Sequence, residues 1–361
     1  MAEYDFSQVD AAIIDTQHNP ARVLREVLAR LGFRRVEIFD SARTAAGLLG
    51  SGTPDLMLID ADSEEAETLR FIRAVRHELT TANPYACVIV TTWQPTSTLL
   101  MRVKNAGADD LLMKPVSPKQ VQDRIASLIE ARKGFVVTAD YTGPDRRKAP
   151  REGTQIPVLE APNTLRLKAT GRFTQAAARS LLTEANRFVT EQKRLRIGIQ
   201  IAFLIEFALI GLAQPVPERM AVEHLARVPG FIDELLRRLD QEEGDHAAVE
   251  AVGRSLRAMA EAVRGQAESG PVNARDLTEL QLTTNTLLHA VDPSRPLEAM
   301  AAEVSTAVIG YRTRLEQMAQ AKAAAAQPPA PPPDPPPDPA ADPVGETAPA
   351  DPAGAATAAT G

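Results

Sequence analysis

Between residues 8 and 132, apolar residues occur in short continuous runs separated by stretches where they recur every three or four positions. The runs are Ala11 to Ile14, Leu56 to Ile59, Cys87 to Val90 and Leu111 to Met113, with Val36-Glu37-Ile38-Phe39 a further strand interrupted by one acid. They are too short for helices, and unbroken apolarity of this kind predicts strands covered on both faces. The intervening stretches carry helical spacing. Pro20 to Leu31 repeats Val23, Val27, Leu28 and Leu31, and Ser41 to Leu49 is Ala-rich and broken by Gly50 and Gly52. Glu64 to Glu78 turns Leu69, Ile72 and Val75 inward, Ser97 to Ala106 is stopped by Gly107, and Ser117 to Arg132 closes the series. Alternation of five strands with five helices predicts a doubly wound α/β domain around a parallel sheet.

After residue 172 the period becomes helical throughout. Leu181, Ala185, Phe188, Gln192, Leu195, Ile199, Ala202 and Phe203 form a stripe that continues through Phe207 and Ile210, until Pro215 and Pro217 end the helix. Further amphipathic stretches at Phe231 to Leu239, Ala247 to Val263, Leu277 to Val291 and Leu297 to Met318 predict an all-α bundle over residues 173–320. The broad apolar face of its first helix suits a homodimer or packing within one chain. Ile197 to Leu212 is the most membrane-like stretch, but it is shorter than a span and holds Gln200 and Glu206, so a buried bundle helix and no membrane span are expected.

Chemistry enters at the strand ends. Asp60 closes the Leu56 run, Asp15 and Thr16 close the first, Thr91 and Thr92 the fourth, and Lys114-Pro115 the fifth. Ligands of open parallel sheets gather outside the carboxyl ends of the strands, so these side chains are placed for chemistry. In order and spacing, residues 8–132 resemble the response regulator receiver family of two-component signalling, a chemotaxis-type, flavodoxin-like domain. The resemblance implies that Asp60 accepts a phosphoryl group and that Thr92 and Lys114 hold its oxygens. It implies Mg²⁺ on Asp15, Asp60 and the backbone carbonyl of Asp62, and a sensor histidine kinase or phosphotransfer protein as donor. Thr92 is favoured over Thr91 because Lys114 lies 22 residues after it, the family's usual distance. A cis Lys114-Pro115 bond is implied, and no dedicated enzyme beyond an autophosphatase activity.

Three positions depart from the family pattern. Thr16 replaces the second acid, which lowers the expected Mg²⁺ affinity. Ala61-Asp62-Ser63-Glu64-Glu65 makes the loop after Asp60 strongly acidic, and Leu111 stands at the aromatic switch position.

Composition adds a setting. A chain of 361 residues with one cysteine, Cys87, and a net charge of −7 fits a cytoplasmic protein without disulfides. No signal peptide is expected from Met1 to Val9. Residues 133–172 are a basic, Pro-containing linker: with Arg132 they carry nine basic against four acidic residues. That charge suits an acidic receiver surface or nucleic acid, but few aromatics and no DNA-binding motif make nucleic acid the weaker reading. His224, His246 and His289 lack the sequence context of a phosphotransfer histidine, with His246 the one expected at the surface, and His18 is a rim residue rather than a metal ligand. Residues 321–361, rich in Pro, Ala and Asp, are expected to be disordered. The expected function is a response regulator acting through protein contacts of its helical region. The alternatives are a degenerate receiver serving as a phosphorylation-independent scaffold, and nucleic-acid binding through the linker.

Overall fold

The computed structural model describes residues 4–47, 50, 52, 54–77, 82–147, 157–240 and 245–326. Five strands, β1 (Asp10–Ile14), β2 (Arg35–Phe39), β3 (Leu56–Asp60), β4 (Cys87–Thr92) and β5 (Asp110–Met113), form a sheet of order β2-β1-β3-β4-β5. All its pairs are parallel. The connecting helices are α1 (His18–Arg30), α2 (Ala42–Ala45), α3 (Glu65–His77), α4 (Ser97–Ala106) and α5 (Pro118–Glu130). This is the predicted flavodoxin-like, doubly wound plan.

Because successive strand residues point to opposite faces, each apolar run feeds two cores. Ile13, Leu58 and Ile89 face Leu24, Leu28, Val121 and Ile125 of α1 and α5. Ile14, Met57, Ile59, Val88 and Val90 face Leu69, Ile72, Val75 and Val103 of α3 and α4. Helix ends are capped locally. Thr96 accepts from the Leu99 amide at the start of α4, and Gly107, at φ 101°, ends it in the left-handed region that glycine tolerates. Ser117 and Gln120 form a reciprocal capping box ahead of α5.

The stretch read as a linker carries regular structure of its own. Strands β6 (Phe135–Val137), β7 (Thr142–Pro144) and β8 (Val158–Leu159) form an antiparallel sheet of order β7-β6-β8, followed by α6 (Thr164–Ala169). Leu165 and Ala169 of α6 enter the α1–α5 core, and the side-chain amide of Asn163 donates to the Leu128 carbonyl at 2.8 Å. Lys168 Nζ lies 2.6 Å from Asp10 and 2.7 Å from Asp55, so α6 is pinned beneath the amino ends of β1 and β3. Its charge is therefore spent on the receiver rather than presented to solvent. Arg146 lies over the Tyr141 ring and reaches Asn105, and Arg147 pairs with Asp145.

A second joint is electrostatic. Asp109, at the foot of β5, receives Arg76 Nη2 at 2.8 Å and Arg132 Nε at 2.7 Å, all three side chains being buried. The two guanidinium groups lie 5.1 and 5.0 Å from the Phe135 ring centroid, so the first residue of β6 packs against this cluster.

The remaining helices are α7 (Gln175–Leu212), α8 (Arg219–Leu225), α9 (Val228–Leu239), α10 (Ala247–Ser269), α11 (Ala274–Val291) and α12 (Leu297–Ala326). The 38 residues of α7 correct the expectation of a segment too short to span a membrane. By length and composition α7 is long and apolar enough, although Ile197, Ile201, Leu204, Ile205, Ala208 and Leu212 are buried against α8 to α11. The described residues as far as Tyr311 form one compact unit, and those from Arg312 belong to another. The expected disordered tail begins later than read, since helix α12 continues to Ala326. The rest of that expectation lies outside the described residues, as do Leu49, Glu78, Lys148, Pro150, Arg151 and Glu152.

Candidate functional site

Parallel register brings the carboxyl ends of four strands side by side. Ile14 pairs with Ile59, Asp60 with Thr91, and Thr92 with Met113. The next residues of β1 and β5 are therefore Asp15 and Lys114, delivered beside Asp60 by the alignment of the sheet. Lys114-Pro115 is cis.

Lys114 Nζ stands 2.5 Å from Asp60 Oδ1 and 3.0 Å from Asp15 Oδ2, with all three side chains at most 3% exposed. The other oxygen of Asp60 accepts the Asp62 and Ser63 amides, each at 3.2 Å, and its carbonyl accepts the Thr68 hydroxyl at 2.7 Å. Asp15 Oδ1 accepts the Gln17 amide at 2.8 Å. Burial raises the Asp60 pKa, but the hydrogen bond and charge of Lys114, with hydrogen bonding from Asp62 and the Ser63 amide, outweigh it and hold the carboxyl below its usual range. For Asp15 burial wins over the Gln17 amide and Lys114, and the charge of Asp60 adds to it, so this carboxyl is pushed up. Burial lowers the Lys114 pKa, but its two carboxylate partners reverse that and the ammonium is held charged.

Asp62 takes a position its sequence did not signal. Its side chain, rather than turning toward Asp15, accepts the Thr92 hydroxyl at 2.6 Å and the Trp93 amide at 3.0 Å to each oxygen. Asp62 Oδ2 is also 3.5 Å from Lys114 Nζ. The Thr91 hydroxyl is buried without a hydrogen-bond partner, whereas that of Thr92 faces the site. The Trp93 ring lies over Lys114, 5.9 Å from Nζ to centroid. It borders a cleft of about 400 Å³ with Gln17, Pro20, Val23, Lys114 and Pro115.

The carboxylates brought together here are those of Asp15 and Asp60, both on Lys114 Nζ; Thr16 is exposed. Among the described residues no three His, Cys, Asp or Glu side chains are grouped to hold a metal ion. Oxygen donors of this kind fit Mg²⁺, which accepts few protein ligands and retains waters. Leu111 packs partly buried against the α3–α4 core. His18 and His289 are exposed, while His246, expected at the surface, is half-buried. His224 is half-buried too, its ring 4.3 Å from that of Phe207.

Residues 11–126 match the family model of the response regulator receiver domain. Among solved structures the chain is similar to the response regulator DrrB of Thermotoga maritima, an OmpR/PhoB homologue. That match has 22% identity and a TM-score of 0.30, and covers 35% of this chain and 55% of that one. A CheY-like receiver domain protein of Methanospirillum hungatei is also similar, at 22% identity, 33% of this chain, 91% of that one and a TM-score of 0.30. So is a signal receiver domain of a response regulator from Bermanella marisrubri, at 25% identity, 34% of this chain, 98% of that one and a TM-score of 0.30. The chain thus spans about half the length of the first of these. None of the curated proteins matches it.

Proposed function

Since residues 11–126 belong to the response regulator receiver family, we propose that this chain is a cytoplasmic two-component response regulator whose Asp60 accepts a phosphoryl group from a histidine kinase or phosphotransfer protein. The observation that carries this reading is the convergence of Asp60, Asp15 and Lys114 at the carboxyl edge of the sheet. A carboxylate held ionised beside a fixed ammonium is a nucleophile with its charge compensation already in place.

In the proposed step Asp60 Oδ attacks phosphorus and the bond from phosphorus to the donor atom breaks. The leaving group departs with the electron pair. Lys114 balances charge on the phosphoryl oxygens as it develops, and Thr92 is the hydroxyl within reach to donate to one of them. Asp15 positions the lysine through a second ion pair, at 3.0 Å. Mg²⁺ held by Asp15, Asp60 and the Asp62 carbonyl would add further charge neutralisation.

Output is assigned to protein contacts of the helical region. Its link to the receiver is structural: α6 and β6 are packed on the foot of the sheet, and α7 adds Leu182, Ala185 and Val189 to the cluster around Tyr85 and Phe135. Incubation of the full chain with acetyl phosphate and Mg²⁺, followed by intact mass, tests the reading; it requires one added phosphoryl group that Asp60→Asn abolishes.

A further inference from the structure

Resting on the phosphoacceptor reading, we infer that the Asp62 carboxylate is an internal stand-in for the phosphoryl group, holding in the unphosphorylated protein the donors that phosphoryl oxygens would otherwise engage.

Three donors face the space beside Asp60: the Thr92 hydroxyl, the Trp93 amide and the Lys114 ammonium. Asp62 engages the first two at 2.6 and 3.0 Å and lies 3.5 Å from the third. Meanwhile the Asp62 amide donates to Asp60 Oδ2 at 3.2 Å, which folds the loop so that the carboxylate returns across β4. A carboxylate and a phosphoryl group share what these donors recognise, namely planar or tetrahedral anionic oxygens that accept charge-assisted hydrogen bonds. Asp62 remains 20% exposed at its side chain, so it can leave for solvent when displaced.

Two consequences follow. The Thr92 hydroxyl and the Trp93 amide are already drawn onto an anion before any phosphoryl transfer, so the β4–α4 loop of the resting protein holds the arrangement that phosphorylation would impose. An incoming phosphodonor meets a negative charge in the place its oxygens must occupy, and transfer to Asp60 is slowed.

The test uses the full chain and its Asp62→Ala and Asp62→Asn variants, with Asp60→Asn as control. Without any phosphodonor, hydrogen exchange of the Trp93 amide should be at least about tenfold faster in Asp62→Ala than in wild type, with altered Trp93 emission. With acetyl phosphate and Mg²⁺, Asp62→Ala should gain the phosphoryl mass about tenfold faster than wild type and recover Trp93 amide protection as it does so. Asp62→Asn, which keeps an acceptor oxygen but no charge, should fall between the two. Equal Trp93 exchange and equal phosphorylation rates in wild type and Asp62→Ala would overturn the stand-in while leaving Asp60 as phosphoacceptor. Failure of every variant to gain mass would remove the phosphoacceptor reading, and the stand-in with it.

Discussion

Lys114 Nζ bridges Asp60 Oδ1 and Asp15 Oδ2 at 2.5 and 3.0 Å, so one ammonium compensates two buried carboxylates. Removing one partner of a buried ionic cluster costs more than the cluster contributes, because charge is left without compensation. Lys114→Met should therefore destabilise the fold by about 3–5 kcal/mol near neutral pH. The sign with pH is definite. Without the lysine both carboxyls have folded-state pKa values above their unfolded ones, so the penalty is present at pH 7.5 and shrinks as pH falls through the carboxyl range. Urea denaturation of wild type and variant at pH 7.5 and 4.5 checks this, and a deficit that grew on acidification would be inconsistent with it.

Asp109 is the corresponding element at the other end of the sheet. It compensates Arg76 and Arg132, which together flank Phe135 and bind the carbonyls of Tyr85, Ala86 and Gly107. Asp109→Ala leaves two buried guanidinium groups without an anion and should cost about 3–5 kcal/mol. Because β6 is anchored on this cluster, the same variant should be cut by protease within residues 133–172 sooner than wild type. A variant with an unchanged urea midpoint would show that the cluster holds nothing together.

Much of this was legible from sequence, and the reason differs by element. Strands β3 and β4 were readable because a strand covered on both faces needs an unbroken apolar run, and the site residues because each ends such a run. Helix α7 was readable from its stripe, although its apolar length was underestimated. The small sheet was not readable: Phe135-Val136-Val137 is three residues long, sits among prolines and charges, and is stabilised by Arg76, Arg132 and Asp109, of which Arg76 and Asp109 are distant in sequence. Nor was the direction of Asp62. Its position two residues after Asp60 suggested a backbone carbonyl for metal, but where its carboxylate points depends on a loop hydrogen bond no periodicity encodes.

Lys193 of α7 is buried among groups of both signs. Its Nζ lies 3.3 Å from the Ala139 carbonyl and 3.4 Å from His77 Nδ1. Burial, then the charge of Arg238, pushes its pKa down to about 7 against the opposing pull of Asp140 and Glu234. Burial, then Lys193, holds His77 down to about 3. A lysine whose folded pKa lies below its unfolded one makes the unfolded chain the better proton binder between pH 7 and roughly 10.4, so stability rises with pH across that window. Lys193→Met should be the more stable protein by about 1–4 kcal/mol at pH 6.5, with the gap closing toward pH 10. Urea midpoints across this range measure it; a gap that widened with pH would refute the assignment.

Phosphotransfer to Asp60 is read most simply from the intact mass of the full chain after incubation with acetyl phosphate and Mg²⁺, beside Asp60→Asn. A single added phosphoryl group is expected on wild type and none on Asp60→Asn. Folded wild-type protein that gains no mass, or an Asp60→Asn protein that gains the same mass, would contradict it.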